Sequence, residues 1–187
     1  LFRSSAASDV YKRQVEHLAA LRAMPNVNVF RPADAIETLE CWQLALQAKK
    51  TTSILALTRQ GLAPYRDYEE RNLCAAGAYE LAAAGKNPQV TIMASGSEVQ
   101  LAMQALEKLR DLDISARVIS VPCMELFAQQ SAGAQADIIG DAPLRIAVEA
   151  AVQQSWDRYL RPGDIFVGME GFGASAPADQ LLSLIHI

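Results

Sequence analysis

Few side chains in this sequence are spaced for chemistry, and the clearest is an arginine that ends an apolar run. In Ser53-Ile-Leu-Ala-Leu-Thr-Arg-Gln60 the residues Ile54 to Leu57 are continuously apolar and bounded by polar ones, which predicts a strand covered on both faces inside an α/β sheet. Arg59 then sits at the strand's carboxyl end, where ligands collect in open α/β sheets. It either meets an anionic substrate there or caps the strand and pairs with a nearby carboxylate. Isolated arginines at strand ends are common, so local pattern alone favours the pairing.

Other candidates reduce to structure. Ser95-Gly96-Ser97-Glu98 is a strand-to-helix turn of the kind whose amides bind phosphate. Ser97 and Gln100, however, have capping-box spacing, Glu98 at the helix's positive end repels an anion, and the P-loop lysine is missing. The glycines from Gly168 to Gly173 run G-x-x-G-x-G, the reverse of the dinucleotide fingerprint, and suit tight turns, with Pro177 starting a helix. Cys41, Cys74 and Cys123 are odd in number, widely spaced and without a CxxC pair. They predict neither a disulfide framework nor a zinc site and fit a reducing, cytoplasmic setting. His17 and His186 have no second base or thiol beside them, so no histidine-based catalytic or metal site is read.

Composition narrows the class. The 187 residues are 51% hydrophobic and 20% charged, with a net charge of −4, the balance of a globular protein with one ordinary domain or two small ones. No cluster of Lys and Arg offers a nucleic-acid surface. No stretch approaches the roughly 18 apolar residues of a membrane helix, and no signal-peptide core is present.

Stepping along the chain, Val15, Leu18, Ala19 and Leu21-Arg22 predict a short helix stopped at Met24-Pro25-Asn26. Val27 to Phe30 alternates as a strand. Asp34 with Glu37 has capping-box spacing, and Ala35, Leu39, Trp42 and Leu46 form an apolar stripe on the helix that follows. With the Ser53 strand this makes a βαβ unit and a parallel pair. Residues 61–75 read as a linker, with Tyr65 and Tyr68 pinning it to the domain surface. Beyond it, Ala76 to Tyr79 is an edge strand or turn, and 90–94, 116–121, 144–149 and 165–167 are strands. Val99, Ala102, Met103, Leu106 and Leu109 form a helix's core face. Met124, Leu126, Phe127, Trp156 and Tyr159 pack inward. The second region is thus a second α/β domain.

Val15-Glu-His-Leu-Ala-Ala-Leu-Arg22, Phe30-Arg-Pro-Ala-Asp34, Leu57-Thr-Arg-Gln60, Ala94-Ser-Gly-Ser-Glu-Val99, Arg117-Val-Ile-Ser-Val-Pro122, Val148-Glu-Ala150 and Gly173-Ala-Ser-Ala-Pro-Ala178 occur in the order found in one family. Together they resemble the C-terminal part of bacterial transketolases, from about Val15 to Leu181. The ending favours that family over deoxyxylulose-phosphate synthase and the β subunit of 2-oxo-acid dehydrogenases. A non-catalytic α/β interaction or regulatory module is the alternative of another class.

The resemblance implies an α/β fold in which 15–60 end a pyrimidine-binding domain, 61–75 link, and 76–181 form a smaller C-terminal domain with a mostly parallel sheet. It implies an enzyme of the pentose phosphate pathway. Thiamine diphosphate and a divalent cation, Mg2+, move a two-carbon ketol unit from a ketose phosphate to an aldose phosphate in a homodimer, with neither nucleic acid nor membrane as partner. Arg59 matches the arginine that holds the sugar's terminal phosphate, which reverses the local reading of that residue. The family's Gly-Asp-Gly diphosphate motif, the glutamate that activates the cofactor and the catalytic histidines have no counterpart in this sequence. The expectation is a transketolase segment, inactive and cofactor-free by itself. Its ends, 1–14 and 182–187, are expected to be foreign to the gene.

Overall fold

The computed structural model describes residues 15–173. The expectations for residues 1–14 and for the stretch from Ala174 onward, including Pro177 and the tail 182–187, lie outside these residues. A short helix α1 (His17–Arg22) leads into strand β1 (Val27–Phe30), helix α2 (Ala35–Gln47) and strand β2 (Thr52–Leu55). The break between α1 and β1 falls where expected, with Asn26 taking the left-handed conformation at φ 59°. Strands β1 and β2 pair in parallel, Val27 opposite Thr52 through Phe30 opposite Leu55. The predicted βαβ unit is therefore present.

Asp34 caps α2, accepting a hydrogen bond of 2.8 Å from the Glu37 amide. The Glu37 carboxylate returns to the amide of Ala33 rather than to that of Asp34. Which face α2 buries differs from the expectation. Leu39, Trp42 and Leu46 are 58%, 48% and 78% exposed, whereas Glu37, Glu40 and Cys41 are buried. The buried positions have the i, i+3, i+4 spacing of one helix face, and two of them are carboxylates because the rest of the chain supplies donors to that face. Glu40 pairs with Arg66 at 2.8 Å and accepts from the Cys74 amide at 3.0 Å. Leu46→Ala is accordingly expected to change unfolding free energy by less than about 0.5 kcal/mol in urea titrations, as befits a surface position. A loss of about 2 kcal/mol or more, the value for a core leucine, would restore the apolar stripe to the interior.

Strand β2 also departs from the expectation. None of its residues is buried, because among the described residues only β1 pairs with it. The stretch expected as a linker, 61–75, runs into a 3-10 helix, Leu73–Ala76. Its Tyr65 packs on the second unit's core and donates its amide to Asp34 at 3.3 Å, while Tyr68 is exposed. Of the two tyrosines, only Tyr65 pins the segment.

The second unit comprises β3 (Tyr79–Ala84), β4 (Val90–Ala94), α3 (Val99–Asp111), β5 (Ala116–Ser120), α4 (Met124–Gln129), α5 (Ala132–Ile139), β6 (Leu144–Val148) and β7 (Ile165–Val167). They form a five-stranded sheet ordered β3-β5-β4-β6-β7. All pairs are parallel except β3–β5. Strand β3 extends well past the edge strand or turn expected at 76–79, and its Leu-Ala-Ala-Ala run escapes a pattern reading because it lacks the branched residues that mark strands. Every residue of β4 is buried, as a central parallel strand requires. The α3 face of Val99, Ala102 and Leu106 covers one side of the sheet. Met124, Phe127, Ile139, Trp156 and Tyr159 cover the other, with the Phe127 and Tyr159 rings 5.2 Å apart.

Candidate functional site

Because β1 and β2 are parallel, their carboxyl ends open on the same side. There the chain leaves β1 as Arg31-Pro32-Ala33-Asp34 and leaves β2 as Ala56 to Leu62. The Ala56 amide still donates to Phe30 at 2.8 Å, so the two exits begin together. Between them lies a cleft of about 300 Å3, walled by Pro32 to Ala35 and Thr38 on one side and by Leu57, Thr58, Gln60 and Leu62 on the other. Arg59 is exposed and lies in sequence between two of the lining residues, Thr58 and Gln60, without lining the cleft itself. Its turn is fixed by the Gln60 amide, which donates to the Thr58 hydroxyl at 3.1 Å. Among the described residues no carboxylate forms an ion pair with Arg59. A planar guanidinium on an exposed turn after a strand suits a tetrahedral anion, whose oxygens accept two charge-assisted hydrogen bonds from it.

The other sequence candidates lie elsewhere. Ser97 does not cap α3. Gly96 to Glu98 form a 3-10 turn, and the Ser97 hydroxyl donates to Glu98 at 2.7 Å. Glu98 is 2% exposed and turns inward to Arg31 at 2.9 Å, which is why the local capping geometry gives way. The cysteines are free and buried. The hydrogen bond with Cys41, followed by burial, pushes the Cys74 thiol up, and burial does the same to Cys123. Neither Cys74 nor Cys123 is primed as a nucleophile. Among the described residues no group of three or more His, Cys, Asp or Glu side chains is gathered to hold a metal.

A buried polar cluster that single motifs did not reveal joins the two units. Glu149, directly after β6, accepts two hydrogen bonds of 2.8 Å from Arg22, one of 2.9 Å from Arg31, one of 2.6 Å from Ser95 and one of 3.0 Å from the Trp156 indole. Burial opposes its charge, but the arginines and Ser95 prevail and hold its pKa at about 2. Burial likewise opposes the charge on Arg31, and Glu98 and Glu149 outweigh it, raising the guanidinium pKa. A second buried carboxylate, Glu37, accepts from Tyr79 at 2.7 Å, Ser120 at 2.5 Å and the Ala33 amide at 2.7 Å. No cation pairs with it among the described residues, and burial raises its pKa despite those donors. The available sequence signals were a charged residue immediately after two of the apolar strands: Arg31 after β1 and Glu149 after β6.

Known proteins match along most of this length. The family described as the transketolase pyrimidine binding domain matches residues 12–64, and the transketolase-like C-terminal domain family matches residues 77–187. The transketolase of Sinorhizobium medicae is 54% identical over 169 residues, covering 89% of this chain and 24% of that protein. That of Cereibacter sphaeroides is 51% identical, covering 92% and 26%. The structure superposes on transketolase from Leishmania mexicana with a TM-score of 0.82 at 39% identity, covering 93% of this chain and 25% of that one. A Pichia stipitis transketolase solved with sedoheptulose-7-phosphate gives 0.82 at 34% identity, covering 92% and 25%. The chain thus spans about a quarter of the length of the relatives it matches. With both family matches laid over the βαβ unit and the mostly parallel five-stranded sheet, the chain belongs to the transketolase family.

Proposed function

We propose that this chain is the part of a transketolase that grips the terminal phosphate of a sugar phosphate, with Arg59 as the gripping residue. The observation that carries the reading is the placement of Arg59: exposed, without a carboxylate partner among the described residues, and flanked in sequence by residues lining a cleft at the carboxyl ends of β1 and β2. A Pichia stipitis relative solved with sedoheptulose-7-phosphate supports the substrate class. Anchoring a phosphate that does not react lets remote binding energy orient the carbonyl end of the sugar. In this reading residues 15–60 end the pyrimidine-binding domain, 61–75 link, and 76–181 are the C-terminal domain. The intact enzyme is a cytoplasmic homodimer of the pentose phosphate pathway that transfers a ketol unit between sugar phosphates.

The family depends on thiamine diphosphate, and the reading includes a divalent Mg2+ beside it. Among the described residues no group of three or more acidic, cysteine or histidine side chains is gathered to hold that metal. In this reading the cofactor and its metal are held by side chains of the enzyme outside residues 15–173. What the described residues supply is a cation for the substrate's far end and a cleft wall that fixes where that end lies.

Arg59→Ala in a full-length transketolase carrying this segment is expected to raise KM for a ketose phosphate about 10- to 100-fold. That is the loss of about 1.4–2.7 kcal/mol, in the range of a hydrogen bond to a charged group. For an unphosphorylated ketol donor KM is expected to stay within about twofold, because only binding of the phosphate is removed. Unchanged KM for the phosphorylated donor would take Arg59 out of the site.

A further inference from the structure

The carboxyl ends of β4, β5 and β6 are where an open α/β sheet binds a ligand, and here they hold another part of the same chain. The seated residue is Arg31. Its guanidinium pairs with Glu98 and with Glu149, each at 2.9 Å, and donates to Ser95 at 3.2 Å. Its amide donates to the Pro122 carbonyl at 2.8 Å, and its carbonyl accepts from the Gly96 amide at 2.9 Å. Ser95, Gly96 and Glu98 follow β4, Pro122 follows β5, and Glu149 follows β6. The three central strands of the five-stranded sheet therefore all contribute to holding this one residue.

The next residues, Pro32 to Ala35, form one wall of the cleft beside Arg59. Resting on the reading of Arg59 above, we infer that Glu98 and Glu149 are positioning residues for the phosphate cleft, acting through Arg31 to fix the Pro32–Ala35 wall. The C-terminal domain then has a part in substrate binding although none of its described residues lines the cleft. The seat leaves little slack. Gly96 has φ +60°, and a Cβ there would come within 3.0 Å of the Arg31 guanidinium carbon. Misplacing a binding wall by about 1 Å can cost up to about 100-fold in rate.

Adhesion between the two units is the simpler role for such a cluster, and Arg22 separates the two. It makes a two-pronged bond to the same Glu149 but belongs to α1, which contributes nothing to the cleft wall. The test compares Arg31→Lys with Arg22→Gln in a full-length transketolase carrying this segment, reading KM, kcat and thermal unfolding for each. A lysine keeps the charge of Arg31 but is one bond shorter, so its nitrogen falls short of the place where Nη1 meets Glu98, Glu149 and Ser95 together.

The expected result is a rise of about 3- to 10-fold in KM for a ketose phosphate with Arg31→Lys. The unphosphorylated donor should stay within about twofold, and Arg22→Gln should lose comparable thermal stability at unchanged KM. In an Arg59→Ala background Arg31→Lys should add nothing, since both act on the same phosphate. If Arg31→Lys lowers stability as Arg22→Gln does and leaves KM unchanged, the cluster is adhesive only and the inference falls. Should Arg31→Lys fail to fold, Ser95→Ala removes a single hydroxyl from the seat and carries the same expectation at about 2- to 3-fold, with unchanged KM again overturning it. The two readings fail differently: a null Arg59→Ala removes the phosphate site itself, whereas a strong Arg59→Ala beside a null Arg31→Lys removes only the positioning role.

Discussion

Glu149→Ala is expected to lower the unfolding free energy of the chain by about 3–5 kcal/mol, the cost of removing one partner from a buried ion pair. The side chain is fully buried, and its loss takes a carboxylate from two guanidiniums that are themselves only 7% and 11% exposed. Arg31 keeps Glu98, but Arg22 loses both hydrogen bonds to a carboxylate. The Trp156 indole loses its acceptor as well. Urea unfolding followed by tryptophan fluorescence measures the loss, and Trp156 reports from within the cluster. A change below about 1 kcal/mol would mean that desolvation already cancels the pairing.

Acid supplies an independent check with a definite sign. Glu149 has its pKa lowered from 4.5 to about 2 in the folded chain. Its stabilising contribution is therefore complete above the unfolded value and is lost as pH falls through about 2. The stability gap between wild type and Glu149→Ala should hold constant above pH 4.5 and narrow steadily below it. Glu37 runs the other way, because burial raises its pKa, so what it contributes is lost as pH rises. It is present in both proteins and cancels from the gap. A gap that widened in acid would contradict the assignment of Glu149 as the charged hub.

Residue pattern carried the βαβ unit, the Asp34 cap and the central strands, since each follows from local periodicity or a short capping motif. It did not carry the buried face of α2. An apolar stripe of Leu39, Trp42 and Leu46 outweighs Glu37 and Glu40 on any hydropathy reading. The carboxylates go inward only because Arg66, Tyr79 and Ser120, all remote in sequence, turn donors toward them. The same limit applies at Ser97, where spacing pointed to a helix cap. A long-range pairing of Glu98 with Arg31 decided the geometry instead. Arg59 was legible as a cation after a strand because its significance depends on one strand end. The Arg31 seat needs the ends of three strands brought together, which no contiguous stretch encodes.

Gly77→Ala is expected to be nearly as costly, at about 2–5 kcal/mol. The backbone there is left-handed, with φ +80°, a conformation that costs an L-residue roughly 1–2 kcal/mol. Space is the larger obstacle. A Cβ at this position would fall on the backbone nitrogen of Phe127, 2.5 Å from the Cys123 carbonyl oxygen and 2.7 Å from the Leu126 carbonyl carbon. All three are main-chain atoms, so no rotamer change relieves the overlap, and overpacking of this kind costs about 1–3 kcal/mol more. The atoms belong to the start of α4 and to the residue that precedes it. The Gly77 carbonyl also accepts from the Cys123 amide at 3.1 Å. The substitution thus pushes the linker's exit away from the helix against which β3 begins. Gly77→Ala should lower the urea midpoint without restoring it when Phe127 is shortened to Leu, because the clash is with backbone and not with the ring. Recovery of the midpoint in the Phe127→Leu background would show that side-chain crowding, not main-chain contact, sets the requirement for glycine.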